Sequence, residues 1–485
     1  MDLIDRHPIV QARTTGDATK SICIIGGGPA GLGALKVIVD TPQFKSGEWV
    51  PALYEAREQV GGVWLPAPPT DDPPLTPLYD SLTTNLPHPV MAYESFSFPP
   101  STAVFPHHPA VQRYLEAYAE HFNLLPHIHT STIVFDARWE TSRWIVKLST
   151  GETRDFDFVV VANGHYRVPR YPDVPGISEW QKAGKVMHSA WYRKPHNLGN
   201  VVLVVGGGPS GQDITAEMSE YASTVIHSLP GVEPGQNGKV KVRGRIAEFK
   251  SDGVIFEDGS IEHGVDFCIL ATGYEFAFPF LSQMKNELPQ PVPPLPSELY
   301  NSSWHIFPLA QHIFPLQTTF PPHSIAFLGL VLKVAPFPMI EAQARAMVKV
   351  FAHPESLDVT QGALEIVSRY DELSKEFHGD QLQIAAAFHR FVGHEQFQYR
   401  DDLHRFAGYG DDTLVQDWVK EMYDKKDILR RAWRELERSG KADEWVKDVG
   451  EGGPHEWVEL LKRLLRHAEE KGEVEIAVEN QEAKL

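Results

Sequence analysis

The sequence predicts an α/β fold class: two doubly wound parallel-sheet units joined in one chain, with a helical C-terminal extension. Three observations predict it. Gly26-Gly27-Gly28-Pro29-Ala30-Gly31 follows the apolar run Ser21-Ile22-Cys23-Ile24-Ile25, and Gly206-Gly207-Gly208-Pro209-Ser210-Gly211 follows Val201-Val202-Leu203-Val204-Val205. Beyond Ser356 the pattern changes, and apolar residues recur at three- and four-residue spacing among charges, the signature of amphipathic helices. A short run of Val and Ile with no polar alternation is the pattern of a strand buried on both faces. Gly-x-Gly-x-x-Gly directly after such a strand lets the backbone approach a pyrophosphate, and the helix that follows offers unpaired N–H groups to it. Each unit is therefore read as a Rossmann-like dinucleotide-binding unit, and the chain as one that holds two dinucleotides.

The elements follow in order. Met1 to about Lys20 is polar, without periodicity, and reads as a leader. In the first unit, Pro51-Ala52-Leu53-Tyr54 ends at Glu55, the place expected for a carboxylate that binds a ribose hydroxyl. Leu65 to Pro77 is too rich in proline for a ladder or a helix interior and is expected as loop. Ala110 to Phe122 reads as an amphipathic helix, and Thr132 to Leu148 as strands around a turn at Glu140-Thr141-Ser142. Phe156 to Ala162 is expected as a buried strand that ends at Asn163-Gly164.

In the second unit, Thr224-Val225-Ile226 ends in His227 and Ser228 with no acid. A carboxylate there would repel a 2′-phosphate, so its absence favours NADPH over NADH. Lys239, Lys241, Arg243 and Arg245 supply either a cationic partner or only a solvated hairpin. A further hairpin is expected at Glu257-Asp258-Gly259-Ser260, and Asp266 to Ala271 as a buried strand closed by Thr272-Gly273-Tyr274. After the Pro-rich stretch Leu288 to Pro296, the expectation is a strand over Ile325 to Leu330 and a helix from about Ile340 to Phe351. Leu414 to Leu436 and Trp445 to Ala468 are expected as docked helices, and the chain from about Glu470 as a frayed acidic tail.

Composition narrows the function. At 485 residues the chain fits two or three domains. A net charge of −19 argues against a nucleic-acid partner, which needs a positive surface. Cys23 and Cys268 both lie in strand-like runs, with no Cys-x-x-Cys, so a dithiol reductase is set aside and a reducing, cytoplasmic setting is expected. No signal peptide is visible, and the most apolar later stretch, Ile325 to Val334, is too short to span a bilayer. His107-His108 and His127-x-His129 lack the companions of a metal site, so no metal is expected.

Between the two units lies Lys182-Ala183-Gly184-Lys185-Val186-Met187-His188-Ser189-Ala190-Trp191-Tyr192. It resembles the identifying motif of flavin-containing monooxygenases, the class B flavoprotein monooxygenases, with Gly184, His188 and Tyr192 in register and Lys182 in place of the usual aromatic. Gly61-Gly62-Val63-Trp64, Leu82-Thr83-Thr84-Asn85-Leu86-Pro87, Ala271-Thr272-Gly273-Tyr274 and Pro336-Phe337-Pro338-Met339-Ile340-Glu341-Ala342-Gln343-Ala344 look like the same family. The resemblance implies FAD on the first fingerprint (Gly26, Gly27, Gly28, Pro29, Ala30, Gly31, Glu55), with Val63, Trp64 and Thr84 beside it. It places NADPH on the second, against Ser210, Gly211, Gln212 and Asp213. Asn85 stands where the family's asparagine contacts both flavin and nicotinamide, which makes it the catalytic candidate. His188 is expected to orient NADPH rather than to move protons.

The implied segments are 20–183 and 271–410 for FAD and 184–270 for NADPH, with 1–19 as leader and 411–485 as helices and tail. The implied reaction inserts one oxygen atom of O2 into a small-molecule nitrogen or sulfur nucleophile through a C4a-hydroperoxyflavin, as a tailoring step in specialised metabolism. A homodimer is left open. The nearest rival, a Baeyer–Villiger monooxygenase acting on a ketone, carries tryptophan four residues after the histidine, whereas this chain has Tyr192 there. From another class, a degenerate flavoprotein with a sensing or scaffold role is disfavoured by the intact fingerprints and Asn85.

Overall fold

Lys20–Ile25 is the central strand of a five-stranded parallel sheet. Trp49–Tyr54 and Ile128–His129 lie on one side of it, Phe158–Val161 and Ile325–Phe327 on the other. Val201–Val205 occupies the equivalent place in a six-stranded sheet, flanked by Thr224–Ser228 and Val240–Arg243 on one side and by Phe267–Leu270 and Val186–His188 on the other. Only the edge strand Gly235–Asn237 runs antiparallel there. The computed structural model describes residues 19–288 and 292–471, so most of the leader, the acidic tail and part of the Pro-rich stretch 288–296 lie outside the described residues.

Each central strand turns directly into a helix, Pro29–Asp40 in the first unit and Pro209–Tyr221 in the second, with proline in the first turn of both. Proline is suited to that position because the N–H it lacks would have no intrahelical partner. Each unit also carries a three-stranded antiparallel meander. In the first it is Val134–Glu140, Arg143–Leu148 and Thr153–Phe156; in the second, Ile246–Lys250, Gly253–Phe256 and Ile261–His263. Thr141 and Ser142 both adopt positive φ, 49° and 67°, as a two-residue hairpin turn requires.

Several boundaries differ from the sequence expectation. The run Phe156 to Ala162 is two strands, broken at Asp157, whose carboxylate accepts from the Ser21 backbone N–H at 2.8 Å and from the Ser21 hydroxyl at 3.1 Å. The strand from Ile325 stops at Phe327, ahead of the left-handed turn at Gly329 (φ 76°). The helix expected from Ile340 begins four residues earlier and runs Pro336–Ala352, because its prolines fall in the first turn. Val240–Arg243 joins the parallel sheet, and so is no free hairpin.

Among the C-terminal helices, Leu414 to Leu436 divides into Asp417–Asp424 and Lys426–Arg438. Trp445 to Ala468 divides into Ala442–Val446 and Pro454–Glu470, separated by a stretch with Gly450 and Gly453 at φ 100° and 118°. Those backbone angles lie outside any helix.

The C-terminal helices share the main core. Leu429, Trp433, Leu461 and Leu464 are buried in the same apolar cluster as Ile22, Leu32 and Leu35 of the first unit. The helices Pro29–Asp40 and Pro336–Ala352 pack closely, and a Cβ on Gly33 would lie 2.7 Å from Ile340 Cγ2. Cys23 and Cys268 are buried in the central region of the two sheets, where burial pushes both thiols up and leaves them unreactive.

Candidate functional site

The two fingerprints have the same backbone geometry. A Cβ on Gly26 would sit 2.6 Å from the Ala162 carbonyl oxygen, and one on Gly206 would sit 2.2 Å from that of Ala271. Gly31 and Gly211 face the carbonyl oxygens of Gly26 and Gly206 at 1.9 and 2.0 Å in the same sense. No side chain larger than hydrogen fits at these four positions, and their role is to bring strand, turn and helix together. Neither helix start has a side-chain cap, so the first N–H groups of each are left for a ligand.

The two units differ where ligand chemistry is decided. Glu55, buried, accepts from the Gly27 N–H through Oε2 at 2.6 Å and from the Arg57 N–H through Oε1 at 2.8 Å. A Cβ on Gly27 would come within 3.0 Å of Glu55, and one on Gly207 within 3.0 Å of Leu229. The matching strand registers, Ile25 with Tyr54 and Val205 with Ser228, make Leu229 the counterpart of Glu55. The strand therefore continues past His227, and the acid position of the second unit is filled by an apolar side chain. His227 turns its Nε2 to the Gly206 carbonyl at 2.9 Å.

Exposure differs as well. Gly27 and Gly28 are buried, and Gly28 is covered by Gly62: a Cβ on Gly62 (φ 57°) would lie 2.7 Å from Gly28 Cα. A Cβ on Gly28 would in turn lie 3.3 Å from Gly62 Cα, so a side chain there meets the Gly61-Gly62 turn as well as the space left for a pyrophosphate. The same turn leads into the 3-10 segment Gly62–Trp64, with Trp64 half-buried against the main core and the Val63 carbonyl accepting from Thr76 Oγ1 at 2.6 Å. Gly208 and Pro209 are exposed, and a Cβ on Gly208 would meet nothing within 4 Å.

Thr84 is buried, donating from Oγ1 to the Leu86 carbonyl at 2.8 Å and from its backbone N–H to Pro106 at 3.0 Å. These bonds fix the loop on which Asn85 stands, with its side chain exposed. Beside this loop opens a cleft of about 380 Å³, walled by Pro66, Pro68, Leu78, Tyr79, His108 and Arg193. Arg193 holds the cleft together: its guanidinium donates to the carbonyls of Ala67, Thr76, Ala190 and Tyr192.

The motif residues prove to be braces. His188 is 1% exposed; Nδ1 accepts from the Ala190 N–H at 3.1 Å and Nε2 donates to the Gly273 carbonyl at 3.0 Å. Burial pushes its imidazole down to about 4, so it is neutral at pH 7. Tyr192 Oη donates to Glu217 Oε2 at 2.6 Å, tying the motif to the helix Pro209–Tyr221.

On that helix Ser210 and Gly211 stand at the start, and Gln212 bonds the Gly207 carbonyl through Nε2 at 3.1 Å. The carboxylate of Asp213 is engaged by Tyr79, Arg430 and Arg434, and so serves the protein's own structure. Three of the basic residues after the second fingerprint are also engaged. Lys241 pairs with Glu262 at 2.8 Å, Arg243 pairs with the same carboxylate, and Lys239 donates to the Ser219 carbonyl at 3.1 Å.

Sequence reasoning missed Leu229, Arg430 and Arg434. The i,i+4 arginine pair was visible in the helix pattern, but its partner was not. In the second histidine pair the rings find ordinary partners, His127 edge-on to Phe44 and His129 stacked on Tyr54. Among the described residues no cluster of three or more His, Cys, Asp or Glu could hold a metal ion, and no helix is long and apolar enough to cross a membrane.

The flavin-binding monooxygenase-like family model matches residues 19–232 and 234–409. Flavin-containing monooxygenase FMO GS-OX-like 4 of Arabidopsis thaliana is 30% identical over 460 residues, 87% of this chain and 94% of that protein. The thiol-specific monooxygenase of Saccharomyces cerevisiae is 32% identical over 360 residues, covering 70% of this chain and 78% of its own. Among solved structures, S-allyl-L-cysteine S-oxygenase from Allium sativum superposes with a TM-score of 0.71 at 26% identity, over 94% of this chain and 98% of that one. Two glycine cradles in one chain, the brace motif between them and these likenesses agree: the chain belongs to the flavin-binding monooxygenase-like family.

Proposed function

We propose that this chain is an NADPH-dependent monooxygenase that holds FAD on the first fingerprint and adds one oxygen atom from O2 to a soft nitrogen or sulfur nucleophile. The observation that carries the reading is the asymmetry of the two cradles. The first is buried, roofed by Gly62 and equipped with Glu55, which suits a resident dinucleotide without a 2′-phosphate. The second is open at Gly208 and has Leu229 where a carboxylate would repel a 2′-phosphate, which suits a cosubstrate that binds and leaves.

Bound flavin supplies the redox chemistry that activates oxygen, and the protein supplies position and shelter. Trp64 closes the 3-10 segment that begins at the Gly62 roof of the first cradle, Thr84 holds the loop of Asn85 in place, and in this reading Asn85 offers an amide with both donor and acceptor to the reacting region. His188 moves no proton, because both its ring nitrogens are committed to backbone groups. The cleft beside Tyr79 and His108 combines apolar walls with Asp80, His108 and Arg193 and would admit a small substrate. The names of the yeast and garlic relatives put thiols and thioethers first among substrates to test.

The deciding experiment is direct. Purified protein should be yellow with one FAD per chain, should oxidise NADPH, and should give a thiol, thioether or amine product heavier by one oxygen. Protein that stays colourless after reconstitution, or that oxidises NADPH without forming oxygenated product from any such panel, would overturn the reading. A cyclic ketone in the same panel tests the rival Baeyer–Villiger chemistry.

A further inference from the structure

The helix Lys426–Arg438 lies beyond the residues matched by the family model, yet it reaches into the space between the second fingerprint and the Asn85 loop. Arg430 and Arg434, one turn apart, each approach Asp213 to 3.1 Å, Arg430 at Oδ2 and Arg434 at Oδ1. Tyr79 Oη donates to Oδ2 of the same carboxylate at 2.8 Å. The Arg430 nitrogen that meets Asp213 also donates to Thr83 Oγ1 at 3.3 Å.

A second set of contacts lies one turn along the nucleotide helix, where Glu217 accepts from Tyr192 and from Ser81. The loop that leads to Asn85 is therefore fastened at Tyr79 and Ser81 directly, and at Thr83 through Arg430. With side-chain exposures of 11% for Asp213 and 13% for Arg430, the pair is shielded from water and weakly screened by salt.

We propose that Arg430 is a positioning residue for the nicotinamide dinucleotide: by bridging Asp213 and Thr83 it sets the second fingerprint's helix at a fixed distance from Asn85. The inference rests on the two-cradle reading above. Asp213 directly follows Ser210-Gly211-Gln212 of the fingerprint, and Thr83 precedes Thr84 and Asn85, so a single guanidinium fixes both sides of the space where the two cofactors must meet. The helix that supplies it is anchored by buried Ile428, Leu429, Ala432, Trp433 and Leu436, which makes the C-terminal segment part of the reaction geometry as well as of the core.

The test uses the flavin-loaded full chain with Arg430→Ala, Arg430→Lys and Thr83→Val. In Arg430→Ala, amide hydrogen exchange in peptides covering residues 79–86 and 209–217 should speed up about tenfold, with the strands of the first sheet unchanged. Flavin content should hold, KM for NADPH should rise about tenfold while kcat moves less than about threefold, and more of the NADPH should be recovered as hydrogen peroxide. Arg430→Lys should restore much of this, since an ammonium can donate to both partners. Thr83→Val should loosen 79–86 alone and raise peroxide release.

Unchanged exchange in both segments overturns the proposal. So does a lowered melting temperature with unaltered KM and peroxide yield, which would make the contact structural only. If Arg430→Ala does not fold, Thr83→Val with unchanged peroxide yield and unchanged exchange at 79–86 overturns it equally. Failure of the two-cradle reading would show separately, as wild-type protein without NADPH-dependent turnover, while the exchange measurement needs no turnover.

Discussion

His188 Nε2 donates to the Gly273 carbonyl across 3.0 Å, and this bond joins the motif between the two units to the turn that closes the second sheet. Because Nδ1 accepts from a backbone N–H and Nε2 faces a carbonyl, the two partners fix the neutral tautomer. Protonation would set an N–H against the Ala190 N–H in a site that is 1% exposed.

The folded imidazole titrates at about 4 because of burial, below the ordinary value of about 6.5 in the unfolded chain. The unfolded state therefore binds the proton first. The stability His188 contributes is complete above about pH 6.5 and is lost as pH falls toward 4, amounting to about 2 kcal/mol by pH 5. Melting temperature measured from pH 7.5 to pH 5 should fall less steeply in His188→Gln than in wild type. Buried His88, His305 and His312, each pushed down to about 3, keep some acid sensitivity in both proteins. Parallel curves would remove the linkage.

The two cradles should respond differently to added bulk. Gly62 has φ 57° and no room against Gly28, so Gly62→Val should reduce flavin retention at purification severely and lower the melting temperature. At Gly208 a Cβ meets nothing within 4 Å, and its φ of −69° suits any residue. Gly208→Val should fold normally and stay yellow, while KM for NADPH rises about tenfold or more. Flavin loss in Gly208→Val would show that the assignment of the two cradles is reversed.

Both cradles were legible because their cause is local: an apolar run, a glycine turn and a proline at the helix start fall within a dozen residues. The roof of Gly62 over Gly28 was not legible, since it depends on a contact between segments separated by a whole helix and strand. Leu229 was hidden for a related reason. The apolar pattern alone ends the strand at Ile226, but pairing with Val205 carries it to Ser228 and so moves the decisive position past His227. The proline-led start of Pro336–Ala352 follows from capping rules that the apolar period alone does not contain. Asp213 was placed with the pyrophosphate by its fingerprint, and only the fold shows Arg430 and Arg434 reaching its carboxylate from the far end of the chain.

Leu229 makes cofactor preference testable by one substitution. A carboxylate there would repeat the relation of Glu55 to Gly27, taking the place beside Gly207. Leu229→Glu should cut kcat/KM for NADPH through repulsion of the 2′-phosphate and raise that for NADH by offering the ribose an acceptor. A change of about a hundredfold in the ratio corresponds to about 3 kcal/mol, within reach of one desolvated charge pair. If the ratio stays fixed, the preference is set by contacts elsewhere, with Arg245 the first to replace, since Lys241 and Arg243 are already paired with Glu262.

Asn85 gives the sharpest test of the site. Its loop is pinned on one side by Thr84 to Pro106 and Leu86 and on the other by Thr83 to Arg430, so the amide is held without being consumed by internal bonds. An exposed side chain on a fixed backbone has little structural value of its own, and Asn85→Ala should leave the unfolding free energy within about 0.5 kcal/mol of wild type. If the amide orients the reacting groups, the variant should still oxidise NADPH, but most of that oxidation should end in hydrogen peroxide and little in oxygenated product. Peroxide and product measured together against NADPH consumed give the coupling ratio. Asn85→Asp, which keeps the shape but loses both amide donors, should be uncoupled as well. Coupling unchanged in both variants would return Asn85 to the role of a turn residue.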